Sequence, residues 1–525
     1  MRLLVSLSPR ITRIALVLGI WAFIATWPLE RRHIVYTVHS FSTGAFTDAA
    51  TLSLYASDVT FVILAILWYL WVSSKKEVPK GTLKKIFKQN FMAFGLLLLF
   101  WACIRSLTLE VLAWYGVARI IQGLILSILV STMWTFRDLR RTIIISLAVA
   151  GLFQSVVSVI QVKIWSSIGL KFLGEQKIDI MAPGVAKVDM GVPLGTDNFK
   201  EIPEEILNGK RKILRGYGTF PHPNVLSGFL LVSLVSAVFL PFRMRKVQYE
   251  VTSPEGEIRH STLQFLWELT VLCVCATIIV GLLSSFSRSG VISLLSLSLL
   301  VSTLPREIIP RRRILTLACS VLLGFTLFLA QDSWREALRS RIIPPAFDSF
   351  LRERSLAFLD LLSISRRSWL IGSGPSHGIL EILTVPTGIS QSDMRRPSWS
   401  YQYPHSLPLV ILLELGIVGL SICTLMLFTI TTPLLRWLKA YSSTEVNRSN
   451  LLSFRTLTLI MLSIGTLTPS ITDHYLWTIQ QGRILLWGIL GVLLAYSLDP
   501  IKKPARECED TPGGNQKLLD PYPVS

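Results

Sequence analysis

The sequence predicts an all-α membrane protein, a polytopic bundle of about twelve transmembrane helices with a large, partly helical loop outside the bilayer. Three observations carry this. First, 51% of the 525 residues are apolar and 16% are charged, whereas a soluble domain carries about a quarter charged residues, so a soluble fold could not cover its surface. Second, the apolar residues fall in windows of about 20, the length that crosses a ~30 Å hydrocarbon core at 1.5 Å per residue. Third, Lys and Arg concentrate in alternate connectors between those windows. The same composition excludes disorder, collagen and coiled coil. A net charge of +19 would suggest nucleic acid in a soluble chain; here it reports membrane topology, and no nucleic-acid partner is expected.

Taken in order, windows bounded by charge or by Pro and Gly clusters place spans at 11–28, 55–73, 89–104, 111–135, 142–162 and 223–242. Six more follow at 263–284, 288–304, 313–330, 407–435, 452–470 and 482–498. The first window follows Arg2, Arg10 and Arg13 as a signal peptide would. It lacks a small-residue cleavage site, and Trp21 and Trp27 suit an interface anchor. An even number of spans puts both termini on one side. The connectors 1–13, 74–88, 136–141, 243–262, 305–313, 436–455 and 499–525 hold 28 of the 52 Lys and Arg residues, which makes them and both termini cytoplasmic. The short opposite connectors hold few: Arg31, Arg32, Arg105 and Arg288.

The long segments 163–222 and 331–406 then lie outside, too long for the charge rule to govern. Residues 1–498 form the bundle with these two external segments, and 499–525, rich in Pro, Gly and mixed charge, form a disordered cytoplasmic tail. Residues 334–341 and 349–367 have helical spacing, with Pro344, Pro345, Pro375 and Pro397 marking breaks. Such a basic cap suits a lid over an anionic lipid-linked substrate; a solvated loop fits the same composition. Cys103, Cys273, Cys275, Cys319 and Cys423 sit in apolar runs and Cys508 in the tail, a pattern of neither disulfides nor zinc ligands.

Three segments join polar residues to the outer start of an inward-running span. In RGYGTFPHPN (215–224), Pro223 and Asn224 read as a helix start with Asn224 as N-cap, and Arg215 lies just before it. In FSRSG (286–290), Arg288 stands at the mouth of the eighth span. In YPHSLPLVILLELGIVGL (403–420), Ser406 can cap a helix with Pro408 in its first turn, and His405 sits at the entrance. Inward-running helices turn their unpaired N–H groups and partial positive charge outward, which favours an anion. If these spans are neighbours, Arg215 and Arg288 add permanent charges that fork onto phosphate oxygens. A neutral His405 can accept a proton. Asn224 and Ser406 equally fit plain helix caps, and Arg288 fits an interfacial anchor. Glu414, two turns inside the tenth span, needs a partner: Arg288, His405, Arg119 or another bundle arginine. Asp58, Arg105 and Glu110 pose the same question. The chain has no P-loop, no H-E-x-x-H and no D-x-D pair. A bound diphosphate would therefore be neutralised by arginines and helix termini, and no metal or cofactor is expected.

Together these segments resemble the O-antigen ligase and polymerase superfamily of bacterial inner-membrane glycosyltransferases. The ligase pattern is His, then Asn, Ser or Gln, nine residues, Gly, two residues, and Gly, Thr or Tyr. Here it reads His405, Ser406, residues 407–415, Gly416, Ile417, Val418 and Gly419. RGYGTFPHPN resembles the family's arginine segment at Arg215, Gly218, Phe220, Pro223 and Asn224. FSRSG resembles its external Ser-Arg-Ser turn at Arg288, and LIGSGPSHGI (370–379) resembles the Gly-rich turn of its large external loop. The likeness extends over about 90–498.

The resemblance implies a GT-C-like bundle with a large periplasmic loop, using a glycan on an undecaprenyl diphosphate carrier. It implies that Arg215 and Arg288 hold the diphosphate and that His405 assists an acceptor hydroxyl on lipid A-core, a glycan or a protein, with Asn224, Ser406 and Glu414 near the substrates. Direct displacement predicts inversion at the anomeric carbon. A polymerase of the same superfamily fits equally, and a lipid-linked oligosaccharide flippase or exporter is the reading from another class. A transporter, however, should carry its charges along a path through the bundle, whereas these candidates share one face.

Overall fold

The computed structural model describes residues 9–37, 50–74, 82–182, 184–193, 210–240, 254–303, 311–342, 369–384, 403–443 and 473–497. Helix α1 (Pro9–Thr26) leads into a hairpin, β1 (Arg32–Thr37) and β2 (Thr51–Tyr55), then α2 (Ala56–Ser73), α3 (Thr82–Phe87), α4 (Asn90–Ser106), α5 (Val111–Thr135) and α6 (Arg137–Ile164). A second hairpin, β3 (Lys187–Pro193) and β4 (Lys210–Leu214), precedes α7 (Pro223–Val238), α8 (Pro254–Ser284), α9 (Arg288–Thr303), α10 (Arg311–Leu329) and α11 (Asp332–Ile342). The last helices are α12 (Gly378–Thr384), α13 (Leu407–Ser443), α14 (Tyr475–Thr478) and α15 (Gln480–Ser497).

Six of these are long and apolar enough to cross a membrane: α2, α5, α6, Thr262–Ser284 of α8, α10 and Leu407–Thr432 of α13. Asn90–Ser106, Pro223–Val238 and Arg288–Ser302 are shorter apolar helices. Every expected window except 452–470 coincides with a helix. That window, the helical pattern at 349–367 and the tail 499–525 fall outside the described residues, so the count of twelve stays an expectation. Residues 334–341 do lie in a helix, α11.

The all-α expectation needs one correction. Both hairpins are antiparallel ladders, pairing Arg32 with Tyr55 and Lys187 with Leu214 at their ends. RHIVYT, TLSLY, KVDMGVP and KRKIL are short and rich in β-branched or alternating residues, a period that 20-residue windows average away.

One end of the bundle is built on apolar and basic residues. Trp71 meets Phe136 edge-on at 4.8 Å, and Arg13 at the start of α1 pairs with Asp138 at the start of α6 at 2.7 Å. Arg313 at the start of α10 donates to the Leu240 carbonyl after α7 at 2.9 Å. The opposite end collects the hairpins, the turns and nearly all the buried charge. There Glu30 N–H bonds the Thr219 carbonyl, and Arg105 bonds the Gly372 carbonyl at 2.8 Å. Arg119 is held by Asp58 through contacts of 2.5 and 3.0 Å, with Gln122 and Gln480 also donating to Asp58. Glu110 is the residue before α5, at its N-cap. Between the ends the helices approach closely: a Cβ on Gly123 of α5 would lie 2.3 Å from the Trp487 indole of α15, so only glycine lets these two helices pack here.

Candidate functional site

Strand β4 delivers the chain to Arg215, whose N–H bonds the Ala186 carbonyl, and Gly216 N–H bonds the Ser284 carbonyl at 2.8 Å. The segment is thereby fastened to the turn between α8 and α9. The buried Arg215 guanidinium donates through Nε to the Ser285 carbonyl at 2.8 Å and through Nη2 to Asn224 Oδ1 at 2.7 Å. Arg288, the first residue of α9, donates to the Arg341 carbonyl, and Arg341 donates back to the Phe286 carbonyl, both at 3.2 Å. Phe286 has φ +47°, costly for an aromatic residue. Its ring is buried 5.6 Å from Phe328, and the strained turn presents consecutive carbonyls to Arg215 and Arg341. Burial and Arg341 push the Arg215 pKa down to about 9; burial and Arg288 push that of Arg341 down to about 10. Arg215 and Arg341 both stay protonated at neutral pH. Arg341 escaped the sequence reading because it lies in the basic α11 segment, where it resembles any other cap residue.

Asn224 is not the N-cap of α7. His222 takes that role, its Nδ1 accepting from Asn224 N–H at 3.2 Å, and burial with Arg215 nearby pushes the His222 pKa down to about 3. The Asn224 side chain is instead a bridge, its Nδ2 donating to Asp473 Oδ2 at 2.5 Å. Asp473 Oδ1 accepts from His474 N–H at 2.8 Å and stands 3.6 Å from His405 Nδ1. Burial opposes the Asp473 charge, but the His405 contact, with His474 and His222 near, outweighs it and holds the carboxyl well below the usual range. His405 Nδ1 is buried without a hydrogen-bond partner among the described residues, while the ring keeps 36% of its surface open. The structure thus links Arg215, Asn224, Asp473 and His405 in one chain. Asp473 and His474 were missed, although a polar pair just before the last span is the same signal that marked the other three segments.

Ser406 directly precedes α13, and its carbonyl accepts from Val410 N–H at 3.1 Å. The helix runs from 407 to 415 and breaks at Gly416, where φ is +68° and ψ −174°, a conformation open to glycine alone. The backbone groups freed by the break are paired by the Gly-rich turn. Ser373 and Gly374 N–H bond the Leu413 and Glu414 carbonyls at 2.9 and 2.7 Å, and Ile417 N–H bonds Trp369 O at 2.9 Å. Trp101 Nε1 donates to the Leu415 carbonyl. His405 therefore sits at the N-terminal end of a half-helix braced from the side, the arrangement by which irregular backbone survives at membrane depth.

Glu414 pairs with neither Arg288, His405 nor Arg119, since Asp58 takes Arg119. It accepts from Tyr403 Oη at 2.6 Å and Trp477 Nε1 at 2.8 Å, with Arg483 lining the same small cavity. Residues 374–378 read G-P-S-H-G, the spacing of a nucleophile elbow, and Ser376 has φ +57°. A turn rather than a strand precedes it, and no imidazole is bonded to its hydroxyl among the described residues. Its strain instead serves the backbone N–H, which faces Glu414.

The most metal-like group is His405, Asp473 and His474, with candidate donor atoms within 4.8 Å of one another. Tetrahedral zinc at about 2.1 Å per ligand needs them roughly 3.4 Å apart. Both Asp473 oxygens are already engaged, and Arg215 repels a cation. These residues as placed suit proton transfer better than metal binding.

The molecule is thus a membrane helix bundle with buried arginines and a histidine–carboxylate pair gathered at one end. Residues 273–424 match the family model for O-antigen ligase, which supports the likeness to the O-antigen ligase and polymerase superfamily. The match spans Arg288, Arg341, the Gly-rich turn, His405 and Gly416; Arg215, Asn224 and Asp473 lie outside it. No curated protein matches the chain.

Proposed function

We propose that the protein transfers a glycan from an undecaprenyl-diphosphate carrier to an acceptor hydroxyl, as an inverting ligase that needs no metal. The observation that carries this is the chain from Arg215 through Asn224 and Asp473 to His405, which couples a cationic pocket to an imidazole. In the bacterial inner membrane the basic end, with Arg13 and Arg313, faces the cytoplasm together with both termini, and the site faces the periplasm. Residues 163–222 and 331–406 then form the periplasmic part.

A sugar bonded at its anomeric carbon to a lipid diphosphate already carries a good leaving group. The protein has to orient the acceptor and stabilise departing charge. Arg215, Arg288 and Arg341 hold the diphosphate; the contacts of Arg215, to the Ser285 carbonyl and the Asn224 amide, and of Arg341, to the Phe286 carbonyl, are neutral and leave those two charges uncancelled. His405 takes the acceptor hydroxyl proton as oxygen bonds to the anomeric carbon and the carbon–phosphate oxygen bond breaks, releasing undecaprenyl diphosphate. Asp473 stabilises the imidazolium that forms. His405→Ala should cost about 10²- to 10⁴-fold.

The test is transfer by purified wild-type and His405→Ala protein, given undecaprenyl-diphosphate-linked glycan, a lipid A-core acceptor and a chelator, with conjugate and lengthened donor detected separately. Conjugate from the wild type alone supports the ligase. Lengthened donor makes the protein a polymerase, and a product with retained anomeric configuration overturns direct displacement. Neither product, from folded protein across several donors and acceptors, leaves the flippase.

A further inference from the structure

The Glu414 carboxylate is tied to three segments of the chain. Oε1 accepts from Tyr403, two residues before His405, and Oε2 accepts from Trp477, four residues after Asp473. The Ser376 backbone N–H of the Gly-rich turn faces the same carboxylate, at the cost of a left-handed serine. Glu414, Tyr403 and Trp477 are 2%, 4% and 8% exposed, so these bonds form away from solvent and each donor would be stranded without the carboxylate. Tyr403 Oη also accepts from Ile379 N–H at 3.3 Å. His405 and Asp473 themselves meet only across 3.6 Å, too long for a formed hydrogen bond. Besides the Asn224 bond to Asp473, their spacing is therefore set by what holds the two flanking segments.

We infer that Glu414 is a positioning residue rather than a substrate ligand: by accepting from Tyr403 and Trp477 at once, it fixes His405 against Asp473. This rests on the proposed role of His405 as the base. A carboxylate suits the task because both oxygens accept, whereas an amide accepts through one and donates through the other. Displacing a reacting group by about 1 Å can cost on the order of 100-fold, so loss of either brace should appear in turnover.

The experiment measures transfer kinetics for Tyr403→Phe, Trp477→Phe, the double variant, Glu414→Gln and His405→Ala. Tyr403→Phe removes one oxygen and little volume, so the test does not depend on the survival of Glu414→Ala. Each single brace variant should lower kcat about 10- to 100-fold and leave donor and acceptor KM within about twofold. The double variant should be little worse than the worse single, since both act through one carboxylate. Glu414→Gln keeps an acceptor for Trp477 but takes the acceptor from the Tyr403 hydroxyl, so it should lower kcat about as far as Tyr403→Phe. A raised KM with unchanged kcat would show that the network binds substrate, and multiplicative losses in the double variant would show independent packing; either overturns the inference. If His405→Ala transfers as fast as wild type, the proposed base is wrong. If His405→Ala is inactive while the brace variants match wild type, only the positioning role fails.

Discussion

Arg119 and Arg215 are both buried arginines at the same end of the bundle, 8% and 5% exposed, yet their partners differ in kind. Arg119 meets Asp58 through two nitrogens and adds Gln122, Tyr115 and the Ser53 carbonyl. Arg215 has a carbonyl and an amide oxygen, and like Arg341 it makes no ion pair among the described residues. A buried guanidinium must be compensated. A counter-charge cancels it locally and makes a strut; neutral dipoles solvate it and leave its charge to act on an incoming anion. On the proposed function, the difference separates a structural arginine from one that acts on substrate, which residue type alone could not do.

The largest effect should come from breaking the strut. Asp58→Ala strands Arg119 and should cost about 3–5 kcal/mol of stability, read as a lowered thermal unfolding midpoint in detergent, while Asp58→Leu with Arg119→Leu recovers much of it. An Asp58→Ala protein that unfolds like wild type would erase the distinction.

Arg215→Gln should do the reverse. Transfer should fall about 10²- to 10³-fold, the scale for removing one group that stabilises transition-state charge. The unfolding midpoint should stay level or rise, because a buried uncompensated charge is gone. A large loss of stability with transfer intact would make Arg215 a second strut.

The contrast also shows how far the sequence reached. Helix positions were legible because a 20-residue apolar run has one physical meaning, and the placement of Arg215, Arg288 and His405 at or just before helix starts was legible from the Pro and polar residues around them. Partnerships were not, since they depend on which helix ends meet. Asn224 looked like a cap because it follows a proline, yet His222 two residues earlier does the capping. Glu414 looked unpaired because its partners, Tyr403 and Trp477, are neutral donors that charge counting ignores. Gly416 was visible as part of a motif, but its role as a helix break appears only with Gly372 and Leu370 beside it. Gly416→Ala should cost about 1–3 kcal/mol for the backbone conformation, with more from a Cβ 2.4 Å from the Leu370 carbonyl. Turnover should fall with stability as the half-helix shifts. Wild-type stability in this variant would mean the break is not glycine-dependent.

The smallest effect tests whether the uncompensated charge of Arg215 is felt by its neighbours. His222 lies in its field, with Asp473, His474 and His405 also facing it. Burial first, and Arg215 second, depress the imidazole pKa from the usual 6.5 to about 3, and a neutral ring is what lets Nδ1 accept from Asn224 N–H and cap α7. Between pH 6.5 and 3 the unfolded chain binds a proton that the folded protein refuses, so this contribution is complete above 6.5 and lost as pH falls. Since His222 is not fully shielded from solvent, the loss by pH 5 should be about 1 kcal/mol. His222→Asn keeps a capping oxygen and does not titrate, so its unfolding midpoint should fall less than that of wild type between pH 8 and pH 5. Arg215→Gln, by lifting the repulsion that disfavours a protonated ring, should move the wild-type curve part of the way toward it. Parallel curves for all three proteins would show that His222 takes up its proton as readily in the fold as in the unfolded chain, and that Arg215 is more fully compensated than its partners indicate.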